Sequence, residues 1–353
     1  MIMRKENTNI GRGEDTKYFL NLFKRNPRAN EIFNHPLLSA GKTLTNPADV
    51  RKIVSMLDVH HVFHRRNPVV NPDGTVSTKF FRWHSSVMGD MPFFPFHIAD
   101  GCVILDVVGC SLSDLTPLSG CSTLKWLQIN NCDIENFEGV NPNAVTRVEA
   151  LSAPFLRSLR GIPRSVITLR IAGAPLLTTT KHMPQVFTET DSVLKRCEIR
   201  DSGLKVLEDM PRELDSDLNL TFNHLRSFKG MPDRITGHMS VSGNFFNDFN
   251  GFPSYVGKSV HVSHCGLKSF KGCPHIIRGN FNVPNNQISS LEGMPKKISG
   301  NFDVSSNDIR DFSCSYDVMV RGEMIYGDNP TRRVSKRNIK AKKGYSVRRT
   351  FKR

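Results

Sequence analysis

Charged side chains are concentrated in neighbouring segments near the middle of the chain. They flank short apolar-x-apolar strand patterns, so strand alternation points them away from a core. Arginine favours interfaces because its guanidinium pairs with carboxylate or phosphate through two hydrogen bonds, and tryptophan is a residue type that anchors interfaces. The pattern predicts either a recognition patch or a row of solvated ion pairs, which contribute little individually. The candidate partner-binding residues are Trp126, Gln128, Arg147, Glu149, Arg170, Arg196, Glu198 and Arg200.

The end of the chain carries a second concentration of charge. Residues 331–353 contain eleven Lys or Arg and no acidic residue, which leaves +4 of the net charge of +15 for the rest of the chain. Self-repulsion and scarce apolar side chains predict a basic, disordered tail. It is interpreted either as a tether to nucleic acid or to an anionic surface, with Tyr345 and Phe351 available to stack on bases, or as a solubilising terminus. The candidate nucleic-acid-binding residues are Arg332, Arg333, Lys336, Arg337, Lys340, Lys342, Lys343, Arg348 and Arg349.

Histidines and cysteines could bind a metal, but neither set has the required pattern. His60 and His64 are four residues apart, yet His61 stands where the zinc-protease pattern needs Glu. The eight cysteines include no Cys-x-x-Cys pair, and structural free thiols are the favoured interpretation. The sequence also has no Gly-rich phosphate loop after a strand and no nucleophile elbow. We therefore predict no metal site, no cofactor and no enzymatic activity.

A repeat of about 21 residues organises most of the chain. Its clearest units follow an apolar-x-apolar-x-x-Asn-x-apolar frame that starts at Phe281 and again at Phe302. One longer step, of 28 residues between Leu169 and Cys197, predicts an inserted loop at 178–193 beside the charged segments. The first strand position can be followed through eleven rungs, at Leu105, Leu127, Val148, Leu169, Cys197, Leu218, Met239, Val260, Phe281, Phe302 and Met324.

A narrow interior position recurs five residues after each first strand position. Asparagine there is expected to hydrogen-bond the backbone of the adjoining turns, and Cys, Ser or Ala fits the same space. Glycine and proline in the returning segment supply a positive φ and remove an unpaired N–H. The residues at the interior position are Cys110, Cys132, Ala153, Ala174, Ser202, Asn223, Asn244, Cys265, Asn286, Asn307 and Asn329.

This frame is the leucine-rich consensus, and residues 98–330 resemble the leucine-rich repeats of tailed-phage and bacterial proteins. The resemblance implies an α/β-type repeat solenoid with a short-strand parallel sheet on its concave face. It also implies a phage or bacterial source and a role in host interaction or in a virion. The repeat is similar to that of secreted bacterial leucine-rich effectors as well, but the short segment around Cys314 and beyond leaves no room for their ubiquitin-ligase domain.

Residues 1–97 do not carry the repeat and are predicted to form a mainly helical N-terminal cap, with a separate binding domain as the alternative. Helices are expected after Asp15 and after Asn46-Pro47, and a turn between short strands is expected from Val69 to Val76. A solenoid needs such a cover because its terminal rung would otherwise expose apolar side chains. The N-terminus lacks the apolar core of a signal peptide and no run of residues approaches a membrane span, so a cytoplasmic location is expected, meaning host cytoplasm or virion for a phage protein.

Two functions remain as hypotheses. The first is a non-enzymatic protein-interaction module that presents the concave surface of the repeats to a protein partner. The alternative is a nucleic-acid-associated factor that binds through the basic tail. No membrane partner is expected, and the oligomeric state is left open.

Overall fold

The chain coils into a parallel β-solenoid of about eleven turns, seen in a computed structural model. Successive turns place one strand each into a single long sheet, and the C-terminal turns add a second layer of very short strands. The described residues are 35–58, 62–63, 68–85, 90–184, 194–312, 318–330 and 347–348.

The N-terminal region begins with a 3₁₀ helix (Pro36–Leu38) and one α-helix, α1 (Pro47–Asp58). The predicted start of α1 is confirmed, because Asn46 Oδ1 accepts the backbone N–H of Ala48 at 2.9 Å. The predicted turn follows, with β1 (Val69–Val70) antiparallel to β2 (Val76–Ser77). α1 is the only α-helix described over its full length within residues 1–97, and the helix expected after Asp15 lies outside the described residues.

The remaining strands alternate between the two layers in the C-terminal part of the solenoid. In chain order they are β3 (Phe80–His84), β4 (Ile104–Val108), β5 (Trp126–Asn130), β6 (Arg147–Leu151), β7 (Thr168–Ala172), β8 (Arg196–Arg200), β9 (Glu213–Leu214), β10 (Asp217–Asn219), β11 (Arg234–Ile235), β12 (Met239–Ser240), β13 (Tyr255–Val256), β14 (Val260–His261), β15 (Ile276–Ile277), β16 (Phe281–Asn282), β17 (Lys297–Ile298), β18 (Phe302–Asp303), β19 (Met319–Val320), β20 (Met324–Ile325) and β21 (Val347–Arg348).

The long sheet has thirteen strands, in the order β3-β4-β5-β6-β7-β8-β10-β12-β14-β16-β18-β20-β21. Each pairs in parallel with the next, so equivalent residues of successive turns lie side by side. All eleven predicted first strand positions pair in this register, from Leu105 with Leu127 at one end to Phe302 with Met324 at the other. The predicted rungs are therefore confirmed.

The sheet also extends beyond the predicted rungs at both ends. Phe81 of β3 pairs with Leu105, so a strand inside residues 1–97 belongs to the long sheet. At the other end Val347 pairs with Met324, which makes β21 the one described part of the segment predicted to be a disordered tail. The other residues of that segment lie outside the described residues.

The second layer consists of two three-stranded parallel sheets, β9-β11-β13 and β15-β17-β19, which we call the short sheets. Each strand directs one residue into the core, at Leu214, Ile235, Val256, Ile277, Ile298 and Val320. In the described repeats this layer contains strands, turns and one 3₁₀ helix (Thr116–Leu118), and no α-helix. The structure therefore confirms a repeat solenoid but not the α/β type, and a mainly helical cap also stays a prediction.

The interior position after each strand forms a hydrogen-bonded ladder in the C-terminal turns. Asn307 Nδ2 donates to the carbonyls of Val283 at 3.0 Å and Val304 at 3.1 Å, and its Oδ1 accepts the N–H of Ile288 at 3.1 Å. Cys265 takes the same place with fewer bonds, since its Sγ donates to the Val241 carbonyl at 3.4 Å. The predicted role of asparagine is confirmed, because one amide joins two successive turns.

Glycine in the returning segment is required by both conformation and space. Gly230 has φ of 86°, and a Cβ there would lie 2.2 Å from the Leu207 carbonyl oxygen of the previous turn. Any larger side chain would therefore separate the turns. Inside, phenylalanine rings from successive turns stack, with Phe228 and Phe249 centroids 5.7 Å apart and Phe249 and Phe270 5.9 Å apart.

Candidate functional site

A row of polar side chains runs along the outer face of the long sheet, across β3 to β8. Each is the middle residue of its strand, and the residues on either side point into the core, as buried Leu105 and Val107 do in β4. In-register pairing places these side chains next to one another at about 4.8 Å per strand. The row reads Arg82, Asp106, Gln128, Glu149, Arg170 and Glu198.

Arg170 bridges the two carboxylates of the row. Its Nη1 lies 3.0 Å from Glu149 Oε1 and its Nε lies 3.2 Å from Glu198 Oε2. Both carboxylates are buried, with 3% and 5% of the side chains exposed, whereas the Arg170 side chain is 23% exposed. The guanidinium therefore compensates two desolvated carboxylates at once, which an exposed ion pair does not do.

The three flanking arginines complete this network. Arg147 Nη2 lies 2.6 Å from Glu149 Oε1, while Arg196 Nη2 and Arg200 Nε lie 2.9 Å and 2.7 Å from the oxygens of Glu198. We call Arg147, Glu149, Arg170, Arg196, Glu198 and Arg200 the arginine cluster. The structure thus brings together all six charged residues that the sequence singled out, despite the insertion between β7 and β8.

Electrostatics favour the ionised forms of Glu198 and Arg170. Burial raises the pKa of Glu198, but the hydrogen bond from Arg200 and the charges of Arg170 and Arg196 outweigh burial, so the net pKa is lowered. For Arg170, burial lowers the pKa and the bonds to Glu149 and Glu198 outweigh it, so the net pKa is raised. The solvated-ion-pair interpretation is therefore incomplete, because the carboxylates at the centre are out of water.

Trp126 and Gln128 lie beside the cluster on β5. The Arg147 guanidinium carbon is 4.3 Å from the centroid of the Trp126 ring, a cation–π contact. Gln128 occupies the row between Asp106 and Glu149. All eight predicted partner-binding residues therefore form one continuous surface on the outer face of β5 to β8.

The surface continues toward the N-terminus through residues that the sequence analysis missed. Arg82 Nε and His84 Nε2 lie 3.0 Å and 3.1 Å from Asp106 Oδ2. These two residues sit on β3, which was assigned to the cap. The signal was present, because Phe81-x-Trp83 repeats the apolar-x-apolar frame 24 residues before Leu105.

The outer face changes character after β8. Side chains there are small and uncharged for the most part, and they bond to one another along the sheet. Ser263 Oγ lies 2.9 Å from Ser242 Oγ, and Asn282 Nδ2 lies 3.0 Å from His261 Nδ1. Burial, with a smaller contribution from the charge of His238, lowers the pKa of His261, which favours its neutral form.

Several predicted features lie outside the described residues. His60, His61 and His64 are among them, as are residues 185–193 of the inserted loop and the side chains of all nine candidate tail residues. Up to Pro184 the insertion is held to the next turn, where Thr180 Oγ1 donates to the Glu208 carbonyl at 2.5 Å.

The described residues contain no group of three or more His, Cys, Asp or Glu side chains that could hold a metal ion. Seven of the eight cysteines are described, all as free thiols, and six of these are buried. Burial raises the pKa of the Cys197 thiol to about 12. Nor does the described part of the chain include a helix long and apolar enough to cross a membrane.

The fold and the outer face together define a parallel β-solenoid repeat protein with a charged surface on its long sheet. Comparison with known proteins found no matching protein-family model and no matching curated protein.

Proposed function

We propose that the chain is a leucine-rich-repeat protein of the short phage and bacterial type, acting as a non-enzymatic protein-interaction module in the cytoplasm or in a virion. The 21-residue period and the asparagine ladder support the leucine-rich interpretation. The long sheet offers the binding face, and the residues before it serve as its cap.

The observation that carries this proposal is the preorganisation of the arginine cluster. Arg147 is held between Trp126 and Glu149, yet 43% of its side chain stays exposed. Arg196 and Arg200, both fixed by Glu198, are 55% and 39% exposed. Side chains already held in one geometry lose little entropy on binding, and Trp and Arg are the residue types that dominate interface energies.

The cluster also indicates what kind of surface the partner presents. Its carboxylates are already satisfied by the arginines, so its free hydrogen-bonding capacity consists of outward N–H groups. A partner with carboxylates or backbone carbonyls, and an apolar group to cover Trp126, fits this surface. Nucleic acid fits less well here, because Glu149 and Glu198 cancel part of the positive charge.

The test is affinity capture with the full chain and single substitutions on the outer face. Trp126→Ala and Arg196→Glu should weaken capture of a stoichiometric protein from the native cell by about tenfold or more, since hot-spot losses reach 2 kcal/mol and above. Asp303→Ala, on the same face but five strands along the sheet from β8, should leave capture unchanged. Arg170 is unsuitable for this test, because Arg170→Glu would place three carboxylates together and disturb folding. Capture that is insensitive to Trp126 and Arg196 would contradict the proposal.

Residues 331–353 support a second candidate function, a nucleic-acid-associated factor with the solenoid as scaffold. The supporting observation is their eleven cations and absence of acidic residues. Under this candidate, in which residues 331–353 alone bind, deleting them should abolish retention on DNA or RNA. A shallow salt dependence of retention by the intact protein would contradict this candidate, because phosphate neutralisation releases counterions.

A further inference from the structure

The outer face of the short sheets carries cations that form no salt bridge with a carboxylate in the described part of the chain. The outward residues of these strands are Glu213, Arg234, Tyr255, Ile276, Lys297 and Met319. Other basic residues follow or precede them in the same turns. We call Arg234, Lys258, Arg278, Lys296, Lys297 and Arg321 the basic face. Five of the six are exposed and Lys297 is half-buried.

Two of these arginines are held by a tyrosine. The guanidinium carbons of Arg234 and Arg278 lie 4.0 Å and 4.5 Å from the centroid of the Tyr255 ring. They come from the turns on either side of Tyr255, so the stack connects the two short sheets. Stacking fixes a guanidinium plane while leaving its N–H edge free to bond an acceptor.

The charges of the basic face are not neutralised by the described protein. None of its six residues forms a salt bridge within the described part of the chain. Acidic residues occur at the two ends of the face, at Asp233, Glu213 and Asp215 at the N-terminal end and at Glu323 at the C-terminal end. The equivalent turn segments between these ends, residues 253–259, 274–280 and 295–301, have no Asp or Glu.

We propose that the basic face binds the phosphodiester backbone of nucleic acid, independently of base sequence. Neighbouring turns lie about 4.8 Å apart, so cations on five successive turns extend over about 20 Å, enough for several phosphates. The eleven-cation segment 331–353 follows β20, the strand that comes directly after β19 in the chain. Both basic elements therefore belong to the C-terminal part of the molecule.

The separation of the exposed apolar side chains favours nucleic acid over a lipid surface. Ile276 and Met319 are the exposed apolar side chains of this face, at 47% and 46%. Lys297 lies between them in the register of the sheet, so they do not form the continuous apolar surface that insertion into a bilayer needs. In a nucleic-acid complex they would instead lie against sugars between phosphates.

The experiment measures binding of the full chain to a labelled mixed-sequence DNA duplex, and to one of its strands, across a salt series. Two double variants remove charge from the face: Lys296→Gln with Lys297→Gln, and Arg234→Gln with Arg278→Gln. The matched control, Arg157→Gln with Arg160→Gln, removes two surface arginines that pair with Glu135 and Glu138 at 3.7 Å and 2.8 Å.

Each face variant should lower the slope of log K against log salt for the duplex by about one to two units, since each phosphate contact contributes about 0.9. The control should keep the slope of the unmodified chain, and the binding that remains in each face variant belongs to the other four cations of the face and to residues 331–353. Lys296→Gln with Lys297→Gln leaves the arginine stack on Tyr255 in place. This variant therefore still tests the proposal if the arginine variant unfolds the protein.

The proposal is overturned if both face variants keep the unmodified slope, since the tail alone then binds. It is also overturned if the chain ignores both oligonucleotides and binds phosphatidylserine vesicles, or an acidic polypeptide such as polyglutamate, with the same dependence on Lys296 and Lys297. None of these substitutions touches the long sheet, so this result is separate from the test of the arginine cluster.

Discussion

The two halves of the solenoid differ in the contacts that join their successive turns and in the way they arrange surface charge. In β3 to β8 the strands have five residues each, and buried carboxylates and arginines neutralise one another on the outer face. From β9 onward the strands have two or three residues, asparagines join the turns from inside, and a second layer of strands appears. In the first half the charged side chains pair with one another, whereas the cations on the short sheets of the second half form no salt bridge among the described residues.

This difference shows that a count of charges does not identify a binding surface. Four arginines crowd the long sheet, but Glu149 and Glu198 hold them and reduce their net charge. Arg234 and Arg278 instead stack on the ring of Tyr255, which leaves their charge intact. The first arrangement suits selective contact with a protein, and the second suits a polyanion.

The largest expected effect is loss of the shared carboxylate in the arginine cluster. Glu198→Gln leaves Arg170, Arg196 and Arg200 without their common anion. Breaking a buried pair in this way is strongly destabilising, and we expect a loss of about 2–3 kcal/mol in the free energy of unfolding, because the arginines retain some contact with water. Chemical denaturation measures it. Glu138→Gln is the matched control, since Glu138 is 51% exposed in its pair with Arg160, and it should cost less than about 1 kcal/mol. Equal losses would mean that the cluster is a solvated surface feature.

A slightly smaller loss is expected from the asparagine ladder in the other half. Asn307→Leu removes bonds to Val283, Val304 and Ile288. The two carbonyls each keep a bond from a neighbouring asparagine, so the Ile288 N–H is the group left unpaired and the loss should be about 1–3 kcal/mol. Asp303 lies on the outer face of β18, and Asp303→Ala should cost far less in the same thermal or chemical unfolding experiment. If the two substitutions destabilise equally, the inside and outside positions are misassigned.

The pH dependence of stability should distinguish the two halves. Because the folded-state pKa of Glu198 is lowered, its stabilisation is present above the unfolded pKa of about 4.3 and is lost as the pH falls through the lower folded value. The stability gap between the unmodified chain and Glu198→Gln should therefore be widest near neutral pH and should narrow below about pH 4. The gap for Asn307→Leu should stay nearly constant over the same range. If the difference in stability between the unmodified chain and Glu198→Gln widens on acidification, the charge network is contradicted.

The smallest effect is expected on the basic face. Lys296→Gln with Lys297→Gln removes no described ion pair, so its effect on the free energy of unfolding should stay within about 0.5 kcal/mol per site. It should even stabilise slightly if the cations repel one another. Calorimetric melting at low salt measures this. A loss comparable with that of Glu198→Gln would show that these lysines have structural partners.

Much of this architecture could be predicted from the sequence, because periodicity reports burial directly. The register from Leu105 to Met324, the buried asparagines and the start of α1 all follow from local patterns. β3 was missed because Phe81 precedes Leu105 by 24 residues, longer than the usual step of about 21. It also lies among aromatic residues that suit a cap. The second layer was missed because two-residue strands have too little length to show alternation.

The sequence predicted which residues come together in the arginine cluster, but it did not predict that the two carboxylates are buried. Strand alternation places Glu149 and Glu198 on an outer face, and outward residues are expected to be solvated. Their burial depends on Arg170 covering both, which in turn depends on the register across the 28-residue step. The basic face was not predicted, because its members are separated by about a turn in the sequence and meet only through the short sheets.

The most direct test of the proposed interaction function is site-specific photo-crosslinking of the full chain in its native cell. A photoreactive residue at Thr168 sits on the outer face between Arg147 and Arg196; a second at Asp303 samples the same sheet in the other half, and a third at Lys297 samples the basic face. We predict a discrete protein adduct from position 168 that disappears with Trp126→Ala, and no such adduct from 303 or 297. A protein adduct formed only at 303 or 297, or one at 168 that survives Trp126→Ala unchanged, would contradict the assignment of partner recognition to the arginine cluster.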